Sequence, residues 1–146
     1  CAYGYGGDIS RSWVVGDVMP TNDQKTLYKI AYEHVMHNIA MLKPGMSFFE
    51  ATQKAHRLPE AYRALRYGVL AHGVGLCDEY PCIRYPEDVT HYGYGGQIEV
   101  GMILSVEAYI GAEGGREGVK LEEQVVITEK GAEALSCYPY EADLLS

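Results

Sequence analysis

The stretch MILSVEAYIGAEGGREGVKLEEQVVIT, residues 102–128, sets the architecture. Both of its ends alternate with the two-residue period of a β-strand. In Met102–Ile110, the residues Met102, Leu104, Val106, Ala108 and Ile110 take one face, and Ile103, Ser105, Glu107 and Tyr109 take the other. In Glu117–Thr128, Val119, Leu121, Val125 and Ile127 share a face, and Lys120, Glu122 and Gln124 share the opposite one. Glu123 falls in the apolar row. The Gly-Ala-Glu-Gly-Gly run between the two ends reads as a turn region, which makes them two strands of one sheet. The period does not choose which of Glu122 and Glu123 points into a site.

Upstream, Thr21 to Leu42 is the clearest helix. Thr21 and Gln24 form a capping box, and Leu27, Ile30, Ala31, Val35, Ile39 and Leu42 recur at helical spacing. Lys43-Pro44-Gly45 ends it. A second capping box, Ser47 with Glu50, predicts a shorter helix to about Arg57. Pro59 predicts another that ends near Arg66. Ser10–Val15 reads as a strand and Gly16–Pro20 as a turn. Gly73 to Gly96, rich in Gly, Pro and Tyr, reads as loop with room for short strands, and Glu133–Ser136 as a last short strand. Helices followed by strands predict an α+β fold with helices on one face of an antiparallel sheet. No repeat, low-complexity tract or interdomain linker interrupts the chain.

The 146 residues are 47% hydrophobic and 22% charged, enough for a core and unlike a disordered chain. Twenty acidic residues against 12 basic ones give a net charge of −8 at pH 7. That balance argues against nucleic acid or an anionic membrane surface as the main partner, and suits a cationic or zwitterionic ligand or bound metal. No apolar run approaches the ~20 residues that span a bilayer. The cysteines, Cys1, Cys77, Cys82 and Cys137, form neither a C-x-x-C pair nor a zinc-finger pattern. With no secretory leader visible, they predict reduced thiols in a cytoplasmic protein. The chain opens at Cys1 directly in patterned sequence, and so reads as a piece of something longer.

Four segments each present one metal-ligating side chain in a strand or a Gly-rich turn: Gly7-Asp8-Ile9-Ser10-Arg11, Ala71-His72-Gly73-Val74-Gly75, Ser105-Val106-Glu107-Ala108 and Leu121-Glu122-Glu123-Gln124. Each has a plain reading by itself. Asp8 fits a turn cap, His72 a satisfied histidine, Glu107 a solvated carboxylate on an open sheet face, and Glu122-Glu123 a charge run at a sheet edge. Together, one imidazole and three carboxylates from dispersed strands match a site for two divalent cations. Several carboxylates share a buried site only when cations compensate them. This donor set suits Mn, Fe, Co or Zn.

In this order the four segments resemble the pita-bread superfamily of creatinase, prolidase, aminopeptidase P and methionine aminopeptidase. The resemblance covers essentially the whole chain. It implies a curved antiparallel sheet with helices on its convex face and the site on the concave one. It assigns Asp8, His72, Glu107 and Glu122 as metal ligands, Glu122 rather than Glu123 being the ligand. The superfamily's first aspartate ligand would lie about ten residues before Asp8, where this chain does not reach. Residues 1–146 therefore read as part of a C-terminal catalytic domain, N-terminally truncated and preceded in the whole protein by a separate domain.

One departure is informative. The peptidases follow His-Gly-x-Gly with His-Glu-x-Pro, and here that stretch is Asp78-Glu79-Tyr80-Pro81. An imidazole can donate a hydrogen bond to a developing oxyanion, whereas a carboxylate only accepts. A carboxylate there is suited to take a proton from carbon. The run Gly-Leu-Cys-Asp-Glu-Tyr-Pro, with Val106-Glu107-Ala108-Tyr109 and Gly114–Glu122, resembles the metal-dependent dimethylsulfoniopropionate lyases. That resemblance implies β-elimination of a small zwitterionic sulfonium substrate to dimethyl sulfide and acrylate. It implies Asp78 as base, Tyr67 as a substrate contact through its ring face, two metal ions with iron favoured, and a homodimer in the full-length protein. The rival expectations are an Xaa-Pro peptidase or creatinase-like hydrolase, with His91 the nearby histidine, and a non-catalytic binding module.

Overall fold

The computed structural model describes residues 3–146, so Cys1 lies outside the described residues. In chain order the helices are α1 (Asn22–Met41), α2 (Phe48–Lys54), α3 (Glu60–Arg63), α4 (Val89–Tyr92) and α5 (Ala142–Leu145). The strands are β1 (Val69–Gly73), β2 (Cys82–Arg84), β3 (Ile103–Gly111), β4 (Gly118–Thr128) and β5 (Gly131–Ala134). They form one antiparallel sheet in the order β2-β1-β3-β4-β5. The hairpin expected from residues 102–128 is its centre, paired from Ile103↔Val126 to Gly111↔Gly118.

The apolar rows of β3 and β4 face the helices. Ala108, Ile110, Val119 and Leu121 pack with Leu27, Tyr28, Ala31 and Val35 of α1 and Leu144 of α5. Leu104, Val106, Val125 and Ile127 pack with Phe48 and Ala51 of α2, and with Leu70, Ala71 and Ile83. Fully burying such a side chain stabilises by about 1.5–3 kcal/mol. The α1 capping box forms as expected: Gln24 N–H donates to the Thr21 hydroxyl, and Thr21 N–H donates to the Gln24 amide oxygen. The helix ends where Leu42 turns extended, and Gly45 follows at φ +82°.

Elsewhere the boundaries differ. Helix α2 stops at Lys54 rather than Arg57, because the His56 N–H is taken by the Asn38 side-chain oxygen at 2.9 Å instead of a helical carbonyl. Helix α3 is a single turn with Pro59 as its cap, short of Arg66. The strand expected at Ser10–Val15 reduces to one bridge, Ser10↔Glu122, beyond the end of β5. Past it, the Ser12 hydroxyl donates to the Lys120 carbonyl at 2.9 Å where a ladder would use a backbone N–H. Strand β1 has no alternating pattern because all five of its residues are buried. Strand β5 starts two residues earlier than expected, at Gly131. Among the described residues Cys77, Cys82 and Cys137 are free thiols. No described helix is long and apolar enough to cross a membrane.

Helix α1 buries a histidine in the core. The His34 ring is fully buried, with Nε2 2.7 Å from the Tyr85 hydroxyl and Nδ1 3.2 Å from His56 Nδ1. Burial, then the neighbouring His56 and His37, push its pKa from 6.5 down to about 3. The folded state thus refuses a proton that the unfolded chain accepts below 6.5. Stability is lost as pH falls from there toward about 3. This one group is expected to remove about 2 kcal/mol between about pH 7 and about pH 5. Denaturant midpoints at both pH values would show it: a His34→Gln variant should lose that part of the acid sensitivity, and an unchanged slope would contradict it.

Candidate metal centre

His72 of β1 and the polar rows of β3 and β4 meet on the sheet face away from the helices. His72 lies opposite Ser105, and Glu107 lies opposite Glu122. The Ser10↔Glu122 bridge carries the preceding residues over this face. Asp8 N–H donates there to the Gln124 side chain at 2.9 Å. The His72 Nδ1–H donates to the Gly73 carbonyl, which leaves Nε2 free for a ligand. Around Nε2 lie Glu107 Oε1 at 3.4 Å, Glu122 Oε1 at 3.5 Å and Asp8 Oδ2 at 3.6 Å. Asp8, His72 and Glu122 each offer a ligand atom within 4.8 Å of the others, and Glu107 joins them through its contact with His72.

Glu107 and Glu122 are each 1% exposed, so charge compensation decides their state. Burial opposes ionisation of Glu122, but hydrogen bonds from His72, Ser10 and Ser105 and the charge of Lys120 outweigh it and hold its pKa at about 2. Burial likewise opposes the charged form of His72, and Glu122, the Gly73 carbonyl and Glu107 raise it to about 9. Glu107 is shifted upward, mainly by burial, with Lys120 opposing. Burial and Glu122 shift Asp8 upward. The cluster therefore holds protons that a cation would replace.

The donor set fits a divalent cation. Neither oxygen of Glu107 has a hydrogen bond of acceptable angle, although Lys120 Nζ lies 2.9 Å from Oε2 as an ion pair. The ammonium compensates Oε2, but Oε1 on the His72 side has no donor, and a buried carboxylate oxygen in that state is costly unless a donor or a cation reaches it. Asp8, His72, Glu107 and Glu122 would hold such an ion.

The sheet decides what the period left open. Glu122 points into the cluster with Ser10 Oγ 2.8 Å from its Oε2, whereas Glu123 points to the helix side and pairs with the Arg11 guanidinium. Glu107 is not a solvated carboxylate. Tyr67 is 38% exposed, and its ring face has a neighbour from the chain itself, Lys120 Nζ at 5.2 Å from the centroid. His91 is exposed on α4.

Asp78 is exposed on the loop between β1 and β2. Its carboxylate rests against Gly6, where a Cβ would come within 2.8 Å of Oδ1. The loop is pinned at its base. Gly73 N–H donates to the Pro81 carbonyl at 2.7 Å, Glu79 N–H to the Gly73 carbonyl at 2.9 Å, and Gly6 N–H to the Gly75 carbonyl at 2.8 Å. A Cβ at Gly73 would sit 1.9 Å from the Tyr80 carbonyl oxygen, so only glycine permits this closure. Glu79 adopts φ +64°, an unfavourable conformation for a side-chain-bearing residue. Sequence reasoning gave no role to Lys120, Ser10 or Ser105, whose side chains touch Glu107 or Glu122 in the cluster. Lys120 was legible in the polar row of β4, two residues before Glu122.

An antiparallel sheet with helices behind and an imidazole–carboxylate cluster in front is the arrangement of the pita-bread fold. The chain belongs to metallopeptidase family M24, whose family profile matches residues 1–129. It is 48% identical over 144 residues to a dimethylsulfoniopropionate lyase DddP of Roseovarius nubinhibens, covering 99% of this chain and 32% of that protein. It is 35% identical to an Xaa-Pro dipeptidase of Pyrococcus furiosus, covering 90% of this chain and 36% of the relative. The solved prolidase from Pyrococcus furiosus superposes with a TM-score of 0.73 at 29% identity, covering 94% of this chain and 38% of that one. The X-Pro aminopeptidase from Thermotoga maritima gives 0.77 at 25% identity, covering 94% and 37%. The chain thus spans about a third of the length of the relatives it matches.

Proposed function

We propose that the whole protein is a metal-dependent lyase that splits dimethylsulfoniopropionate by β-elimination. The observation that carries this reading is Asp78, a carboxylate on a loop pinned by Gly73, at the position where the resemblance to the peptidases would lead one to expect a histidine. Its relatives support it: identity is 48% to a dimethylsulfoniopropionate lyase and 35% to an Xaa-Pro dipeptidase.

Asp8, His72, Glu107 and Glu122 would hold the divalent ions, with iron the favoured metal. Once bound, such an ion would supply Lewis-acid polarisation of the substrate carboxylate, which would acidify the adjacent carbon. Asp78 takes the proton from that carbon. The electron pair left behind forms the carbon–carbon double bond of acrylate, the carbon–sulfur bond breaks, and its pair leaves with dimethyl sulfide. Tyr67 lines the sulfonium side. Its ring face can favour a cation by about 0.5–2 kcal/mol. In this reading residues 1–146 are part of a C-terminal catalytic domain, and the protein is a cytoplasmic homodimer.

The test uses the full-length protein, stripped of metal and reloaded with iron, manganese or zinc. Dimethyl sulfide in the headspace over added dimethylsulfoniopropionate is the readout. Release that needs the metal supports the reading. A folded, metal-loaded protein that releases none, but hydrolyses Xaa-Pro dipeptides, would establish the peptidase reading instead.

A further inference from the structure

The loop that carries Asp78 is held from two sides. On the β1 side its bonds run to Gly73, and the Cys82 thiol adds one to the Glu79 carbonyl at 2.8 Å. On the other side no strand is available, because β2 is the edge of the sheet. Tyr94 takes that place. Its hydroxyl accepts the Cys82 N–H, and its ring stacks on the Tyr80 ring with centroids 5.9 Å apart and planes 9° from parallel. Tyr80 follows Asp78 by two residues, and Cys82 lies opposite His72 where the loop rejoins the sheet. Loss of the acceptor would orphan an edge N–H, and loss of the ring would leave Tyr80 without its neighbour.

Tyr94 is itself fixed from the core. Its ring meets the Phe48 ring edge-on, with centroids 6.0 Å apart and planes at 86°. Phe48 is 6% exposed, and its N–H donates to the Gly96 carbonyl at 3.0 Å. A Cβ at Gly96 would come within 2.2 Å of the Phe48 ring, so this segment lies directly on it. Contact therefore runs from the core through Phe48 to Tyr94, and from Tyr94 to Tyr80 and Cys82 on either side of the loop's end.

We propose that Tyr94 is a positioning residue for Asp78: it sets where the loop holds the carboxylate, and acts through the loop rather than on the substrate. The inference rests on reading Asp78 as the base. A displacement of about 1 Å can cost about 10²-fold in rate even when the altered residue is remote from the chemistry.

The experiment measures steady-state release of dimethyl sulfide by the full-length, metal-loaded protein, with metal content determined on the same samples. Tyr94→Leu, which removes ring and hydroxyl, is expected to lower kcat about 10–100-fold with KM and metal content unchanged. Tyr94→Phe keeps the stack and loses only the hydroxyl, so its loss should be smaller. The deciding readout is the same change in an Asp78→Ala background. If Tyr94 acts through Asp78, adding Tyr94→Leu leaves the residual rate of Asp78→Ala unchanged. A merely structural residue would cost the same factor in both backgrounds, and that result overturns the proposal. So does an unchanged kcat, or a loss carried by KM alone. If the leucine variant does not fold, Tyr94→Phe is judged by the same criteria. A folded, metal-loaded parent that releases no dimethyl sulfide overturns the lyase reading and this inference with it. An active parent whose Tyr94 variants match it overturns this inference alone.

Discussion

Asp78→Ala in the full-length, metal-loaded protein is expected to lower dimethyl sulfide release by about 10²–10⁴-fold while metal content stays near that of the parent. The expectation follows from where the side chain sits. Asp78 belongs to the loop between β1 and β2, not to the cluster around His72 Nε2, so its loss leaves Asp8, His72, Glu107 and Glu122 in place. A general base works only when held at hydrogen-bond range of the proton it takes. The hydrogen bonds of Gly73, Glu79 and Gly6 and the close packing of Gly73 on the Tyr80 carbonyl supply that restraint. Rate and metal content, measured on the same preparation, separate three outcomes. Lost rate with retained metal makes Asp78 the base. Lost rate with lost metal makes it a ligand or a structural support. Retained rate moves the base elsewhere.

Arg11→Ala is expected to cost about 3–5 kcal/mol of stability. The Arg11 and Glu123 side chains are each 5% exposed and form an ion pair. The guanidinium also donates to the Glu122 carbonyl at 2.6 Å and to the Tyr138 carbonyl at 2.9 Å, and it stacks 3.9 Å from the centre of the Tyr140 ring. It therefore ties the N-terminal arm, β4 and the segment after β5 together. Removing it leaves the Glu123 carboxylate buried with no cation, which is why the loss exceeds that of an exposed pair, about 0–1 kcal/mol. Urea unfolding of the single variants and of the Arg11→Ala/Glu123→Ala double variant tests this. The double variant should be more stable than Arg11→Ala alone. A loss below about 1 kcal/mol for Arg11→Ala would show that water or another donor satisfies Glu123.

The hairpin and α1 were legible because one face of each is apolar at a clear period and the other is polar. The α1 cap was legible because Thr21 and Gln24 satisfy backbone groups locally. Strand β1 was not, since a strand covered on both faces loses its alternation. The strand expected at Ser10–Val15 failed for a complementary reason: β-rich composition does not supply a neighbour, and only Ser10 finds one, at Glu122. The four candidate ligands could be named from motif order, and the sheet register explains how they converge. The choice between Glu122 and Glu123 needed the partner strand. Ser10 and Arg11 alternate across the sheet as Glu122 and Glu123 do, so each acid meets the residue on its own side. Lys120 has no motif, and its place beside Glu107 and Glu122 appears only once the strands are paired.

The cluster draws on three strands and the N-terminal arm, so Asp8, His72, Glu107 and Glu122 are far apart along the chain. Glu107 and Glu122 share one hairpin, but an unfolded polypeptide must close long loops before Asp8 or His72 can join them around an ion. A cation held here cannot nucleate the fold as it does when ligands lie a few residues apart. It binds a sheet that has already assembled, so its contribution falls on the rate at which that sheet comes apart rather than on the rate at which it forms.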